Sequence, residues 1–149
     1  MEKLKLPEYD FQKRRIDGLT CVFDIFRKKY VVLTPEEEVR QRFARFLVSE
    51  RGYPASLIQT ECSLLVNKMH RRCDILVHKP AGTPALLVEC KAPAVRITQD
   101  VFDQVARYNM TFRVEYLVVT NGIRHYCCRI DFEESGIRFL KDIPAYAAL

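Results

Sequence analysis

No apolar run in the sequence is long enough to span a membrane. The first residues, Met1-Glu2-Lys3-Leu4-Lys5-Leu6-Pro7, lack the apolar segment and small-residue cleavage site of a signal peptide. A cytoplasmic location is therefore expected. The six cysteines (Cys21, Cys62, Cys73, Cys90, Cys127 and Cys128) contain no C-x-x-C pair, which argues against a zinc site. Several stand inside apolar stretches, where a thiol behaves as a small hydrophobe, and reduced thiols are expected. No internal repeat or low-complexity tract is present.

What remains is a chain of 149 residues, 48% hydrophobic and 29% charged, the balance of one domain with a real core. The expected division is an arm with strand pieces over 1–30, a core over 31–144 and a tail over 145–149. The formal net charge of +5 favours an anionic partner over a cationic one.

The chemistry concentrates in two apolar segments, 72–77 and 86–91. Both read as short strands, joined through the turn formers Pro80, Gly82 and Pro84. The hairpin carries Asp74, Glu89 and Lys91 where a core would otherwise be expected. Side chains alternate along a strand, so Glu89 and Lys91 share one face and Val88 and Cys90 the other. Burying a carboxylate and an ammonium is costly unless they pair or bind a metal. Asp74 and Glu89 offer hard oxygens suited to Mg²⁺, and the Cys90 carbonyl is a candidate third ligand. Lys91 would stand beside the metal, near an attacking water or a phosphate oxygen.

Along the chain, residues 1–15 carry Lys3, Lys5, Lys13, Arg14 and Arg15 and read as a solvated basic arm, with a phosphate contact as the alternative. Thr34-Pro35-Glu36-Glu37 starts a helix: Thr34 caps, Pro35 takes the first position and Glu37 completes a capping box. The helix runs to about residue 49, with Val39, Phe43, Phe46 and Leu47 as its apolar stripe. Glu36 falls on the side of that stripe and Glu37 largely away. Residues 58–66 read as the first strand of the central sheet; Glu61 within it is on a solvated face or supports the site. Residues 67–72 form a basic turn, where Lys68, Arg71 and Arg72 are candidate phosphate contacts or simply a charged turn. His70 and His125 are taken as structural. Thr98 caps a second helix over about 99–112, whose stripe is Val101, Val105, Tyr108 and Phe112, with Gln104 on the same side. Arg107 is a further candidate phosphate contact. Residues 116–120 read as a strand covered on both faces. Asn121-Gly122 is a hairpin turn, 124–130 its partner strand, and 136–140 a short edge strand.

The D…E-x-K pattern of Asp74 and Glu89-Cys90-Lys91 resembles that of the PD-(D/E)xK nuclease superfamily. A wider set resembles the N-terminal nuclease domain of type I restriction enzyme R subunits, over about residues 30–144. That set is Thr34-Pro35-Glu36-Glu37, Val39-Arg40-Gln41, Asp74, Val88-Glu89-Cys90-Lys91-Ala92-Pro93, Gln104 and Tyr108. The resemblance implies an α/β fold with a restriction-endonuclease-like core: a mixed central β-sheet flanked by helices in the order αβββαβ. It implies Mg²⁺- or Mn²⁺-dependent hydrolysis of DNA phosphodiesters in restriction-modification. It gives catalytic roles to Asp74, Glu89 and Lys91, brings Glu36 to the metal from the first helix, and sets Gln104 and Tyr108 against the active site. The implied partners are DNA and a motor (helicase) or specificity subunit; a homodimer is an open alternative. The family usually carries a motor domain after the nuclease, and 149 residues leave no room for one, so a stand-alone nuclease-like domain is expected. Two other readings stay open: a non-catalytic nucleic-acid-binding or regulatory module, and an unrelated α/β protein in which Asp74, Glu89 and Lys91 form a structural ion cluster.

Overall fold

The computed structural model describes residues 3–134 and 136–149, with the side chains of Leu64, Val66, Arg71 and Thr111 outside the described set. A three-stranded antiparallel meander comes first: β1 (Lys13–Ile16), β2 (Leu19–Asp24) and β3 (Lys29–Val32). Then follow α1 (Pro35–Arg51), β4 (Ile58–Val66), β5 (Met69–His78), β6 (Pro84–Cys90), α2 (Gln99–Phe112), β7 (Tyr116–Thr120), β8 (His125–Asp131) and β9 (Gly136–Leu140). The six later strands form one sheet in sequential order, β4 to β9. Only β6 and β7 run parallel, because α2 carries the chain back between them. The stretch from α1 to β7 has the expected αβββαβ order in a mixed sheet.

The helices follow from their ends. Thr34 Oγ1 accepts the Glu37 N–H at 3.1 Å and Pro35 fills the first turn, as the sequence predicts. Gly52 closes α1 in the left-handed region at φ 70°, with its N–H turned back to the Leu47 carbonyl. Thr98 caps α2 in the same way through the Val101 N–H. The end of α2 has no glycine: Arg113 takes φ 55°, a cost of about 1 kcal/mol. Asn109 offsets it, its fully buried amide gripping both the carbonyl and the N–H of Val114.

Strand alternation splits the core across the sheet. Ile75, Val77, Leu86, Val88 and Val118 pack with Val39, Phe43 and Leu47 of α1. Leu76, Leu87, Leu117 and Val119 pack with Phe102, Val105 and Ala106 of α2. The sheet thus lies between two helices, each covering one face.

Several expectations need correction. The basic arm is not solvated throughout: Leu6 is buried in the α1-side core, Lys5 donates its N–H to the Gly122 carbonyl at 2.7 Å, and residues 13–16 form β1. The turn over 67–72 is only Asn67-Lys68, both at positive φ; His70, Arg71 and Arg72 belong to β5. The Asn121-Gly122 turn extends to Arg124, because Asn121 Oδ1 collects the N–H groups of Ile123 and Arg124. The last residues are docked: the Tyr53 hydroxyl donates to the Pro144 carbonyl at 2.9 Å, and the Tyr146 ring meets Tyr53 edge-on. The buried stripe of α2 is Phe102, Val105, Ala106, Asn109 and Phe112. Gln104 and Tyr108 are exposed rather than buried, since the helix turns Phe102 and Asn109 to the sheet. Tyr108 stacks on Phe112 at 6.0 Å.

Candidate active site

The register pairs Ile75 with Val88, so Asp74 comes opposite Glu89 where the β5–β6 hairpin opens. On its other side, β4 and β5 pair at Thr60–Ile75 and Cys62–Cys73, and between them Glu61 takes φ 45°. Strand alternation breaks there. Cys73 packs on the α2 side and Ile75 on the α1 side, although they are two residues apart. Asp74 is thereby freed from the ladder. Its Oδ2 accepts the Cys90 N–H at 2.8 Å, and its Oδ1 accepts Arg40 Nη2 at 2.8 Å.

Asp74 and Glu89 line a cavity of about 430 Å³ with Glu36, Glu37, Glu61, Arg40, Arg72, Cys73, Val32 and Thr34. Its walls carry five carboxylates against two guanidiniums, in a chain whose net charge is +5. A larger cleft of about 730 Å³ lies between the end of α2 and β8–β9, with Arg113, Arg129 and Arg138 facing Glu115, Asp131 and Glu133. It contains none of the candidate site residues singled out by sequence.

A lattice of ions that sequence reasoning missed runs from the cavity wall into the core. Asp24, fully buried at the end of β2, accepts from the N–H groups of Phe26 and Arg27, from Arg27 Nε at 2.6 Å, from Gln41 at 3.0 Å and from Thr60 at 2.7 Å. Burial works to raise its pKa, but the Arg27 N–H and guanidinium, Thr60 and Phe26 together hold it below the ordinary 3.8. Arg27 also binds both oxygens of Glu37 at 2.9 Å and pairs with Glu61. Arg40 donates to Glu37 at 2.7 Å. Burial disfavours the Arg40 charge, but Glu37 and Asp74 outweigh it and hold its pKa above the ordinary value. One usable sequence signal was the Glu37, Arg40, Gln41 spacing on α1, which puts all three on one face. The other was an acid ending an otherwise apolar strand at Asp24.

The predicted residues fall as follows. Asp74, Glu89 and Glu36 share the cavity wall, and the side chain of Glu36 is 48% exposed at its rim. Glu37, expected to point away as a capping residue, is buried, because Arg27, Arg40 and Gln41 neutralise and bind it. Cys90 is buried with its N–H on Asp74; burial first, then Asp74, pushes its thiol well up. Lys91 is half-buried just past β6, its N–H donated to the Thr120 carbonyl at 2.8 Å; it is not among the residues lining the cavity. Arg72 pairs with Glu61 at 2.5 Å on the cavity wall, with its side chain 79% exposed. Lys68 is exposed in the hairpin turn, and Arg107, Gln104 and Tyr108 are exposed on α2. The Arg71 side chain lies outside the described set.

The donor set suits a hard divalent cation in kind, being carboxylate oxygen and formally negative. Among the described residues, no three His, Cys, Asp or Glu side chains are gathered closely enough to hold one, and the Arg40 guanidinium stands between those of α1 and Asp74.

A family model described as the type I restriction enzyme R protein N terminus matches residues 35–144. The chain belongs to this family. Its fold is similar to that of a fragment assigned as the HsdR subunit of a type I restriction enzyme from Vibrio vulnificus YJ016, with a TM-score of 0.52 at 17% identity. The match covers 76% of this chain and 24% of that one, so the R-protein N-terminal chain described here spans about a quarter of its structural neighbour. No curated protein sequence matches. No helix among the described residues is long and apolar enough to cross a membrane.

Proposed function

We propose that the chain is a Mg²⁺-dependent DNA nuclease domain of the restriction-modification type. The observation that carries this reading is the meeting of Asp74 and Glu89 in one acidic cavity at the open end of the β5–β6 hairpin, with Lys91 two residues beyond Glu89. Asp74, Glu89 and the Cys90 carbonyl would hold the ion, which when bound supplies Lewis-acid polarisation of the phosphate and a more acidic water. The Cys90 N–H orients the Asp74 carboxylate through Oδ2. Lys91, its backbone fixed to β7, brings an ammonium to balance charge developing on the phosphate. Glu36, exposed at the cavity rim, would be open to an entering ion. Gln104, Arg107 and Tyr108 are exposed and would meet the substrate rather than buttress the pocket. Lys68, Arg71 and Arg72, around the β4–β5 turn, would hold phosphates without reading bases. The working partners would be DNA and a motor or specificity subunit, in the cytoplasm.

The test is cleavage of plasmid DNA with Mg²⁺ or Mn²⁺ by the wild type, Asp74→Ala and Lys91→Ala. Cleavage by the wild type alone is expected. The engagement of Asp74 by Arg40 favours a second reading, a DNA-binding module without activity of its own. It predicts no cleavage by any of the three, with DNA binding that survives Asp74→Ala. Lys68→Ala and Arg72→Ala should each reduce the slope of log K against log salt by about 1 if they contact phosphates.

A further inference from the structure

We propose that Arg40 is a positioning residue that holds the place of the cation in the metal-free protein and yields Asp74 Oδ1 when a divalent ion enters. The inference rests on the metal-dependent reading above and adds a competitor to it. One guanidinium spans two of the four elements that bring acids to the cavity: Nη1 lies 2.7 Å from Glu37 of α1, and Nη2 lies 2.8 Å from Asp74 of β5. Glu61 at 3.7 Å and Glu36 at 3.9 Å complete a ring of four carboxylates around it. Four carboxylate oxygens thus face a single positive group.

Two features make Arg40 a replaceable occupant. Its Nε is buried with no partner among the described residues, so the guanidinium is bound there through its tips and not at its base. Glu37, by contrast, keeps two bonds from Arg27 and one from Gln41 if Arg40 moves, so the α1 side of the site survives the exchange. Asp74 keeps the Cys90 N–H through Oδ2 and presents Oδ1. Arg40 and the ion would then compete for the same carboxylate oxygen. Each lowers the other's occupancy there by the same factor, as linkage requires.

The experiment measures Mn²⁺ binding by electron paramagnetic resonance and melting temperature with and without Mn²⁺, in the wild type, Arg40→Gln and Arg40→Lys. Arg40→Gln removes a positive charge a few ångströms from the ion. Mn²⁺ affinity should rise on the order of tenfold or more, even at an effective dielectric of about 20. It should melt lower than the wild type in EDTA and regain more on adding Mn²⁺. Arg40→Lys keeps the charge and the fold but loses the fork that reaches both acids, so its affinity should rise by less, about threefold. A scaffolding role predicts the reverse, since a loosened Asp74 binds metal more weakly. Mn²⁺ binding by the wild type that is unchanged or weakened in folded Arg40→Lys and Arg40→Gln overturns the inference and leaves the nuclease reading standing. An absence of Mn²⁺ binding in all three proteins overturns both.

Discussion

Asp24 gives the most exacting test of how the cavity is held. It collects five donors from β2's own turn, α1 and β4, and it is fully buried. Asp24→Ala would leave the Arg27 guanidinium, the Gln41 amide and the Thr60 hydroxyl without their shared acceptor. Hydrogen bonds to a charge are each worth about 1.5–3 kcal/mol but do not add, and deleting one member of a buried ion pair typically costs about 3–5 kcal/mol. We take about 4 kcal/mol. With a melting entropy near 2.1 cal/mol/K per residue, 149 residues give about 0.3 kcal/mol per kelvin, so the melting temperature should fall by about 13 °C. Asp24→Asn keeps the shape but offers one acceptor and an unwanted donor, and should fall by less. The sign of the pH dependence follows from the depressed pKa. A carboxylate held below its unfolded value contributes its full stability above that value, and the contribution drains as pH falls through the folded one. The gap between wild type and Asp24→Asn should therefore be full at neutral pH and narrow below about pH 4. Circular dichroism melts across that range decide it. A loss under about 3 °C for Asp24→Ala, a quarter of the expected shift, would refute the claim that this lattice ties the meander to α1 and β4.

Two further outcomes follow from the N-terminal segment. His125 Nε2 donates to the Lys5 carbonyl at 3.1 Å, leaving Nδ1 to accept the Thr120 hydroxyl at 2.6 Å in the neutral ring. Burial holds its pKa below the ordinary 6.5, against the Lys5 carbonyl, which favours the charged form. The unfolded chain then takes up the proton first, so stability falls as pH drops below about 6.5; His125→Asn should remove that part of the slope between pH 7 and 5.5 in a comparison of melts. Gly122 stands at φ 85°, and a Cβ there would meet Leu4 Cδ2 at 2.8 Å and Val39 Cγ2 at 3.1 Å. Gly122→Ala should cost about 2–4 kcal/mol and, by hydrogen exchange, loosen the Lys5 N–H.

Local signals carried most of the fold. The caps at Thr34 and Thr98, the apolar run 116–120 and the β5–β6 hairpin all rest on short-range rules, and the structure has them where those rules put them. Some of the misreadings arise where a partner distant in sequence decides burial. Glu37 is buried because Arg27 and Arg40 reach it, and helical periodicity on α1 alone could not supply Arg27. Gln104 and Tyr108 read as inward because Val101 and Val105 are apolar. The α2 face is set instead by Phe102 and by Asn109, whose amide ties down Val114. Asp74 was legible as an acid on a core strand. Its release from the ladder was not, since that depends on the left-handed turn of Glu61 on the neighbouring strand.

The ionic lattice is a poor device for stability alone. Buried pairs replaced by apolar side chains of similar volume often leave a protein as stable or more so, by about 1–4 kcal/mol. Asp24, Arg27, Glu37, Arg40, Gln41 and Thr60 could in principle be such a patch of plain core. What an apolar patch could not do is hold acids at the edge of the sheet against their mutual repulsion. Arg27 and Arg40 neutralise Asp24 and Glu37, while Glu36, Glu61, Asp74 and Glu89 share the cavity wall with Glu37 and Arg40. The β6–β7 pair brings Glu89–Lys91 and Thr120 to the same edge because those strands run parallel, and the antiparallel β5 brings Asp74 there from the opposite direction. An open edge at the carboxyl ends of parallel strands is where α/β sheets receive ligands. Here the β5–β6 hairpin turns that edge acidic, and the lattice keeps it so.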